Sequence, residues 1–289
     1  KACKEVILSW VRIPFSPPVN KLNMNKDITI IITLYKTPIK VLKNLEQYRN
    51  FKVLIFEQEG SLESKKKLGK SLNINFNYYY SKRNIGLSKA SNILLKKIKT
   101  KYFVFTQADI EISFKSIIAL KKHISINKNI IIVGPNFKKN KIVKNFEFVK
   151  KINAACLFID VKKMKKLGFF DEDFFLYWED IELIDRINST NYKILKVNNI
   201  FANHYISQSS IKDNKIEFLR AQNIMFGELL YDYKKKKLRF IKIIRKIMKV
   251  SSIICINIFI LRLNTSLINL GYLTGIIKFV QYYLRKIFL

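Results

Sequence analysis

Short runs of β-branched and apolar residues alternate with helical patterns through the first half of this chain, and few architectures accommodate that alternation. Ile28 to Thr33 is the first run, of the kind shown by a strand buried on both faces. Thr37-Pro38 then reads as a helix start, with Thr as cap and Pro in the first turn, followed by Val41, Leu42, Leu45 and Tyr48 on one face. Val53–Phe56 reads as a second strand, and Ile74, Phe76, Tyr78 and Tyr80 alternate as a third. Leu87–Ile98 is a helix and Tyr102–Thr106 a fourth strand; Ser113 caps a helix running towards Ile126, and Ile130–Val133 is a fifth strand. Strands separated by helices require crossover connections, so the expectation is an α/β domain with a mostly parallel sheet flanked by helices. From Asn136 to Lys151 the chain reads as irregular and basic, Ile152–Ile159 as a strand and Val161–Leu167 as a short helix. Beyond Asp213 the pattern is helical, giving a C-terminal helical extension.

In such sheets ligands bind beyond the carboxyl ends of the strands. Chemistry is therefore expected at Tyr35 and Lys36, at Glu57 and Gln58, and from Gln107 to Glu111. Asp109 and Glu111 are separated by one residue; on an extended segment both point the same way and can hold a hard divalent cation through oxygen. The alternative is that they cap the helix starting near Ser113.

The densest acidic cluster of a basic chain follows Gly168: Asp171, Glu172, Asp173, Glu179, Asp180, Glu182 and Asp185. Aromatics alternate with these carboxylates up to an amphipathic helix expected to turn Ile181, Ile184 and Ile187 inward. Glu179 and Asp180 fall in its first turn, where a helix N-terminus favours anions. A carboxylate beside Tyr177 and Trp178 suits stacking a sugar ring while accepting a proton from a hydroxyl.

These motifs together resemble glycosyltransferase family 2, in its rhamnosyltransferase-like branch, over about Ile28 to Ser209. The opening strand and tyrosine match Ile30-Ile-Ile-Thr-Leu-Tyr-Lys36, and an Asn-x-Gly-x-x-x-Ala-x-Asn signature matches Asn84 to Asn92. The metal motif matches Gln107-Ala-Asp109, a Gly-Ala-Cys strand matches Ala154-Ala-Cys156, and the Gly-x-Phe-Asp-Glu block matches Gly168 to Leu183. His204 to Ser209 and Arg220 to Asn223 match two further short motifs. The resemblance implies a GT-A fold and an inverting, metal-dependent transferase that moves a sugar, rhamnose among the candidates, from a nucleotide-diphosphate donor. The acceptor it implies is a glycan or lipid-linked glycan in surface polysaccharide synthesis.

Residue by residue, it implies that Asp109 binds a manganese or magnesium ion, with Glu111 and His204 completing the site. Asp180 would be the base, with Glu179 beside it. Thr33, Tyr35, Glu57, Gln58, Asn84, Gly86, Asn92 and Gln107 would line the donor site, and Tyr177 and Trp178 the acceptor side. Glu57 and Gln107 stand where the family usually has Asp, and Ala154 where it has Gly. Cys156 reads as a small core residue and His123 as solvated beside lysines.

The formal net charge of +33 would by itself suggest nucleic acid or an anionic membrane. Lysine, isoleucine and asparagine are abundant in every stretch, so much of that charge is background composition. The aromatics cluster with carboxylates, which repel phosphate backbones, so a nucleic-acid-binding protein is the weaker reading, and a catalytically silent transferase-like subunit is the other rival. Basic charge is positioned in Leu238–Lys249, where Arg239, Lys242, Arg245, Lys246 and Lys249 share one helical face. That pattern suits a helix lying on an anionic membrane surface, and the uncharged run Val250–Leu261 is too short to span one.

Cys3, Cys156 and Cys255 are widely spaced and odd in number, which fits a reducing compartment. No stretch near the start reads as a signal peptide. The expected location is the cytoplasmic face of the cell membrane. The division expected is a non-native or disordered extension over residues 1–23, a catalytic domain over 24–212 and a helical, membrane-associating segment over 213–289.

Overall fold

The computed structural model describes residues 25–137, 144–205, 209–211 and 213–288. The expected extension over residues 1–23 lies outside them. The chain divides into two compact units, one built from residues up to Phe170 together with Leu183–Ser210, the other from Asp171–Glu182 and Ile211 onward.

The first unit is an α/β layer. Its strands are β1 (Asn25–Tyr35), β2 (Phe51–Gln58), β3 (Phe76–Ser81), β4 (Tyr102–Thr106), β6 (Ile130–Asn136), β7 (Phe146–Val149), β8 (Cys156–Asp160) and β9 (Lys193–Phe201). They form one sheet in the order β3-β2-β1-β4-β8-β6-β9-β7. The β1–β2, β2–β3, β1–β4 and β6–β9 pairs are parallel; β8 runs antiparallel to β4 and β6, and β7 antiparallel to β9. A second ribbon joins β5 (Ile110–Glu111) to β10 (Asn203–His204).

Side-chain alternation explains why both sheet faces are dry. Ile28, Ile30, Ile32 and Leu34 of β1 enter one core, with Leu45, Tyr48 and Ile117. Ile31 of the same strand enters the other, with Leu94, Phe103 and Ile187. Helices α2 (Leu62–Ser71), α3 (Leu87–Leu95), α4 (Phe114–Ile124) and α5 (Val161–Leu167) connect the strands.

Several expectations change in detail. Thr37 does not cap the first helix: Pro38 occupies the cap position in extended conformation, α1 (Ile39–Leu42) is one turn long, and a 3₁₀ helix (Lys43–Tyr48) continues it. Helix α2 has only Leu68 buried, so its sequence lacks an apolar stripe, although Ser61 caps it by accepting from Ser64 N–H at 3.0 Å. The stretch read as irregular before Lys151 contains the edge strand β7, whose Phe146 and Phe148 are exposed. The strand expected from Ile152 begins at Cys156. Before it, the Asn153 side chain accepts from Ala155 N–H at 2.9 Å in a turn, and Ile152 packs where a Cβ on Gly134 would stand, 2.4 Å from its Cδ1. His123 is half-buried edge-on to Phe146 rather than solvated, and burial pushes its pKa down. Cys156 is fully buried, and burial pushes its thiol up to about 12.

The second unit is helical: α7 (Asn214–Lys234), α8 (Phe240–Phe259) and α9 (Leu263–Ile287) pack around Phe174, Phe226, Leu229, Leu230, Ile276 and Phe279. Glycine lets α9 approach α7 closely. A Cβ on Gly275 would lie 2.3 Å from the Gln222 carbonyl oxygen, and one on Gly271 2.6 Å from that of Phe218. No helix among the described residues is long and apolar enough to cross a membrane.

Candidate active site

The acidic loop after β4 is held by its neighbours in the first unit. Ala108 and Asp109 form a turn rather than an extended segment, closed by Ile110 N–H donating to the Gln107 carbonyl at 3.3 Å. The alternation that would aim Asp109 and Glu111 the same way is therefore broken. Asp109 is buried, and its Oδ2 accepts from Ser209 N–H at 3.1 Å and lies 3.7 Å from His204 Nε2. Its Oδ1 is buried with no hydrogen-bond partner among the described residues. Glu111 is exposed and accepts instead from Tyr205 Oη at 2.7 Å and Asn203 Nδ2 at 3.1 Å, hydrogen bonds that hold its carboxyl below the usual range.

The structure thus brings Asp109 and His204 together and gives Glu111 different partners. Among the described residues no group of three His, Cys, Asp or Glu side chains could hold a metal. The residues present still fit a hard cation at Asp109: a buried carboxylate oxygen without a partner has lone pairs to offer, with a histidine nitrogen close by. Helix capping is excluded as the role of these acids, because Ser113 caps α4 by accepting from Ser116 N–H at 3.0 Å.

Two residues that periodicity missed fix this loop. Gln47 donates to the Ile110 carbonyl at 2.8 Å and accepts from Ile112 N–H at 2.6 Å, so one side-chain amide mimics a strand neighbour. Thr37 donates to the Ser209 carbonyl at 2.7 Å, anchoring the residue whose N–H holds Asp109. A polar Gln47 between buried Leu45 and Tyr48 was the available signal.

The donor candidates divide. Thr33 and Tyr35 sit at the carboxyl end of β1, and Tyr35 Oη donates to Glu59 at 3.4 Å. Glu57 accepts a short hydrogen bond from Tyr78 Oη. Gln58, buried at the end of β2, accepts from Ile85 N–H at 2.8 Å and so ties down the Asn84–Gly86 turn, in which Asn84 accepts from Gly86 N–H at 3.0 Å. Gly86 has φ of 88°, left-handed backbone that glycine adopts without strain. Asn92 is buried with its amide engaged by Phe170, donating to the carbonyl at 2.8 Å and accepting from N–H at 3.0 Å, a scaffold contact. Gln107 is half-buried where β4 ends.

In the second unit, the segment before α6 (Glu179–Asn188) is strained. Tyr177 and Trp178 both have left-handed backbones, with φ of 66° and 70°, each costing roughly 1–2 kcal/mol for a non-glycine residue. Trp178 packs against Gly227, where a Cβ would lie 2.7 Å from its Cδ1, and against the Tyr231 ring at 5.3 Å. Burial raises the Tyr177 pKa. Glu179 is buried, its Oε2 has no partner among the described residues, and burial, then the neighbouring Asp180 charge, push its pKa up to about 8. Burial also raises the pKa of Asp180, whose Oδ1 accepts from Ile181 N–H at 2.9 Å. Burial thus raises both carboxyls, and at about 8 Glu179 stays protonated near neutrality.

Of the isoleucines expected inward on α6, Ile184 and Ile187 are buried and Ile181 is exposed. The buried stripe runs through Leu183, Ile184 and Ile187, and Ile181 lies off it on the 3.6-residue turn. Further along, Arg186 donates to the Leu167, Gly168 and Phe169 carbonyls at 3.1, 3.2 and 2.8 Å, closing the end of α5.

Comparison with known proteins sets this geometry in context. Residues 33–197, more than half of the chain, match the family model described as glycosyl transferase family 2. Among solved structures the chain is similar to the mannosyltransferase PcManGT from Pyrobaculum calidifontis, solved with GDP-Man and Mn2+, at 14% identity and TM-score 0.55. That match covers 71% of this chain and 64% of the other, just under two thirds of its length. TarS residues 1–349 from S. aureus, in complex with UDP, match at 12% identity and TM-score 0.49 over 88% and 91% of the two chains. No curated protein matches the sequence. At these identities likeness speaks to the fold alone, which is the GT-A fold: a large, mostly parallel sheet flanked by helices.

Proposed function

Because the chain belongs to glycosyltransferase family 2, we propose that it transfers a sugar from a nucleotide-diphosphate donor to a hydroxyl of a glycan or lipid-linked glycan. Inversion at the anomeric carbon, a role in surface polysaccharide synthesis and rhamnose as a candidate sugar are parts of the same reading. Asp109 is the observation that carries it: a buried carboxylate after a central strand, held by Ser209 and near His204, with one oxygen unpartnered. A divalent cation held there by Asp109 and His204 would neutralise charge on the donor diphosphate. The mannosyltransferase of the same fold was solved with GDP-Man and Mn2+, which supports a donor of this class.

The chain's own residues supply the rest. Thr33, Tyr35, Glu57 and Gln58 hold the nucleoside, and the turn that Gln58 fixes presents backbone at Asn84–Gly86. Asp180 accepts the proton of the acceptor hydroxyl as its oxygen bonds to the anomeric carbon, while the bond from that carbon to the diphosphate oxygen breaks. A raised pKa strengthens Asp180 as that base, and Glu179, neutral, does not compete for the proton. Tyr177 and Trp178 border the acceptor. No covalent enzyme intermediate is required.

A thermal-shift panel of UDP, GDP and dTDP sugars, each with and without Mn2+, tests this on the wild type and Asp109→Ala. One nucleotide class should stabilise the wild type by about 2.7 kcal/mol at 100 times its dissociation constant. The effect should need metal and vanish in Asp109→Ala. No stabilisation by any nucleotide, with or without metal, would overturn the proposal.

A further inference from the structure

We infer that the α8–α9 hairpin inserts its tip and outer face into an anionic phospholipid bilayer, holding the chain peripherally on the membrane. Three observations within the second unit carry this.

The first is which side of α8 is dry. Ile243, Val250 and Asn257, spaced by seven residues, are the buried face. The opposite side carries Ile241, Ile244, Met248 and Phe259, all exposed, with Ser252, Cys255 and Arg245 among them and Phe240 alongside. An ordinary surface helix presents mostly charge there, and this one presents mainly apolar surface to solvent, with Arg245 as its one cation.

The second is the tip. Ile258, Phe259, Ile260, Leu261 and Leu263 are consecutive exposed apolar residues broken only by Arg262, with Phe259 89% and Leu261 82% exposed. The turn is a helix-ending motif in which Arg262 N–H donates to the Asn257 carbonyl at 2.8 Å and Leu261 N–H to the Ile258 carbonyl at 3.0 Å. Leu261 occupies its left-handed position with φ of 55°, where glycine would be the less strained residue. A large apolar side chain is thus held outward on strained backbone.

The third is charge. After Asp232 the last 57 residues contain no aspartate or glutamate against thirteen lysines and arginines. A recess of about 360 Å³ beside the apolar face of α8 is lined by cations. Lys242 and Lys246 there pair with Glu228 or Asp232 of α7. Lys237, Arg239, Arg245 and Lys249 have no carboxylate partner among the described residues, which leaves them for lipid phosphates. Apolar surface flanked by unpaired cations complements the acyl and headgroup layers of an anionic bilayer, and no helix here is long and apolar enough to cross it. This inference does not depend on the transfer reaction.

Sedimentation of the full chain with vesicles tests it, using phosphatidylcholine alone and phosphatidylcholine with phosphatidylglycerol. Partitioning should be strong only with the anionic vesicles. Arg245→Gln with Lys249→Gln should weaken it roughly 30-fold, from about fivefold per charge. Phe259→Ser with Leu261→Asn should also weaken it, with thermal unfolding no lower, because Asn tolerates the left-handed position better than Leu. Equal partitioning into both vesicles, no partitioning, or insensitivity to both variants would overturn the inference. So would a stable dimer by light scattering that the tip variant dissolves, since a second copy would then cover this face.

Discussion

Replacing Glu179 by Gln should change how stability depends on pH. Burial raises the folded pKa of Glu179 from 4.5 to about 8. Between those values the unfolded chain has lost this proton while the folded chain keeps it. The sign follows: stability is greatest below about pH 4.5 and falls as pH rises towards 8, by about 1.4 kcal/mol per pH unit. Over the whole window the loss is on the order of 5 kcal/mol, an upper bound set by full burial. Gln has nearly the same shape and cannot ionise, so Glu179→Gln should match the wild type within about 1 kcal/mol at pH 4.5 and exceed it by several at pH 8. The slope remaining in the variant belongs partly to Asp180, which is raised in the same direction. Urea unfolding of both proteins at pH 4.5, 6.5 and 8 measures this. Parallel curves would refute the reasoning, because they would mean that Glu179 titrates alike in both states.

Two further substitutions probe the scaffold. Arg186→Met removes three hydrogen bonds from a guanidinium to the Leu167, Gly168 and Phe169 carbonyls and should cost about 2–4 kcal/mol in urea unfolding, with Arg186→Lys recovering only part. Gln47→Leu leaves the Ile110 carbonyl and Ile112 N–H unpaired, at about 2–3 kcal/mol, and should weaken metal-dependent nucleotide stabilisation by loosening the Asp109 loop.

The sheet was legible because buried strands are marked by composition: Ile28–Thr33 and Tyr102–Thr106 are apolar on both faces and lie in the structure as β1 and β4. Elements resting on few buried residues were not. Helix α2 buries only Leu68, and β7 is an exposed edge strand recognisable only beside β9. At the site, the turn at Ala108–Asp109 overrode the alternation expected of an extended segment, and the partners of Asp109 come from residues about a hundred positions away. Sequence spacing cannot show such contacts. The partners of Gln47 were hidden for the same reason, since its amide serves backbone 63 and 65 residues distant.

The central claim is an in-line displacement with Asp180 as base, and the anomeric configuration of the product tests it most directly. Proton NMR of the product formed from the stabilising donor should show the configuration opposite to the donor's. Asp180→Asn should lower kcat by about 10²–10⁴-fold while leaving metal-dependent donor binding intact. A product of retained configuration, or an Asp180→Asn enzyme turning over at the wild-type rate, would contradict the account.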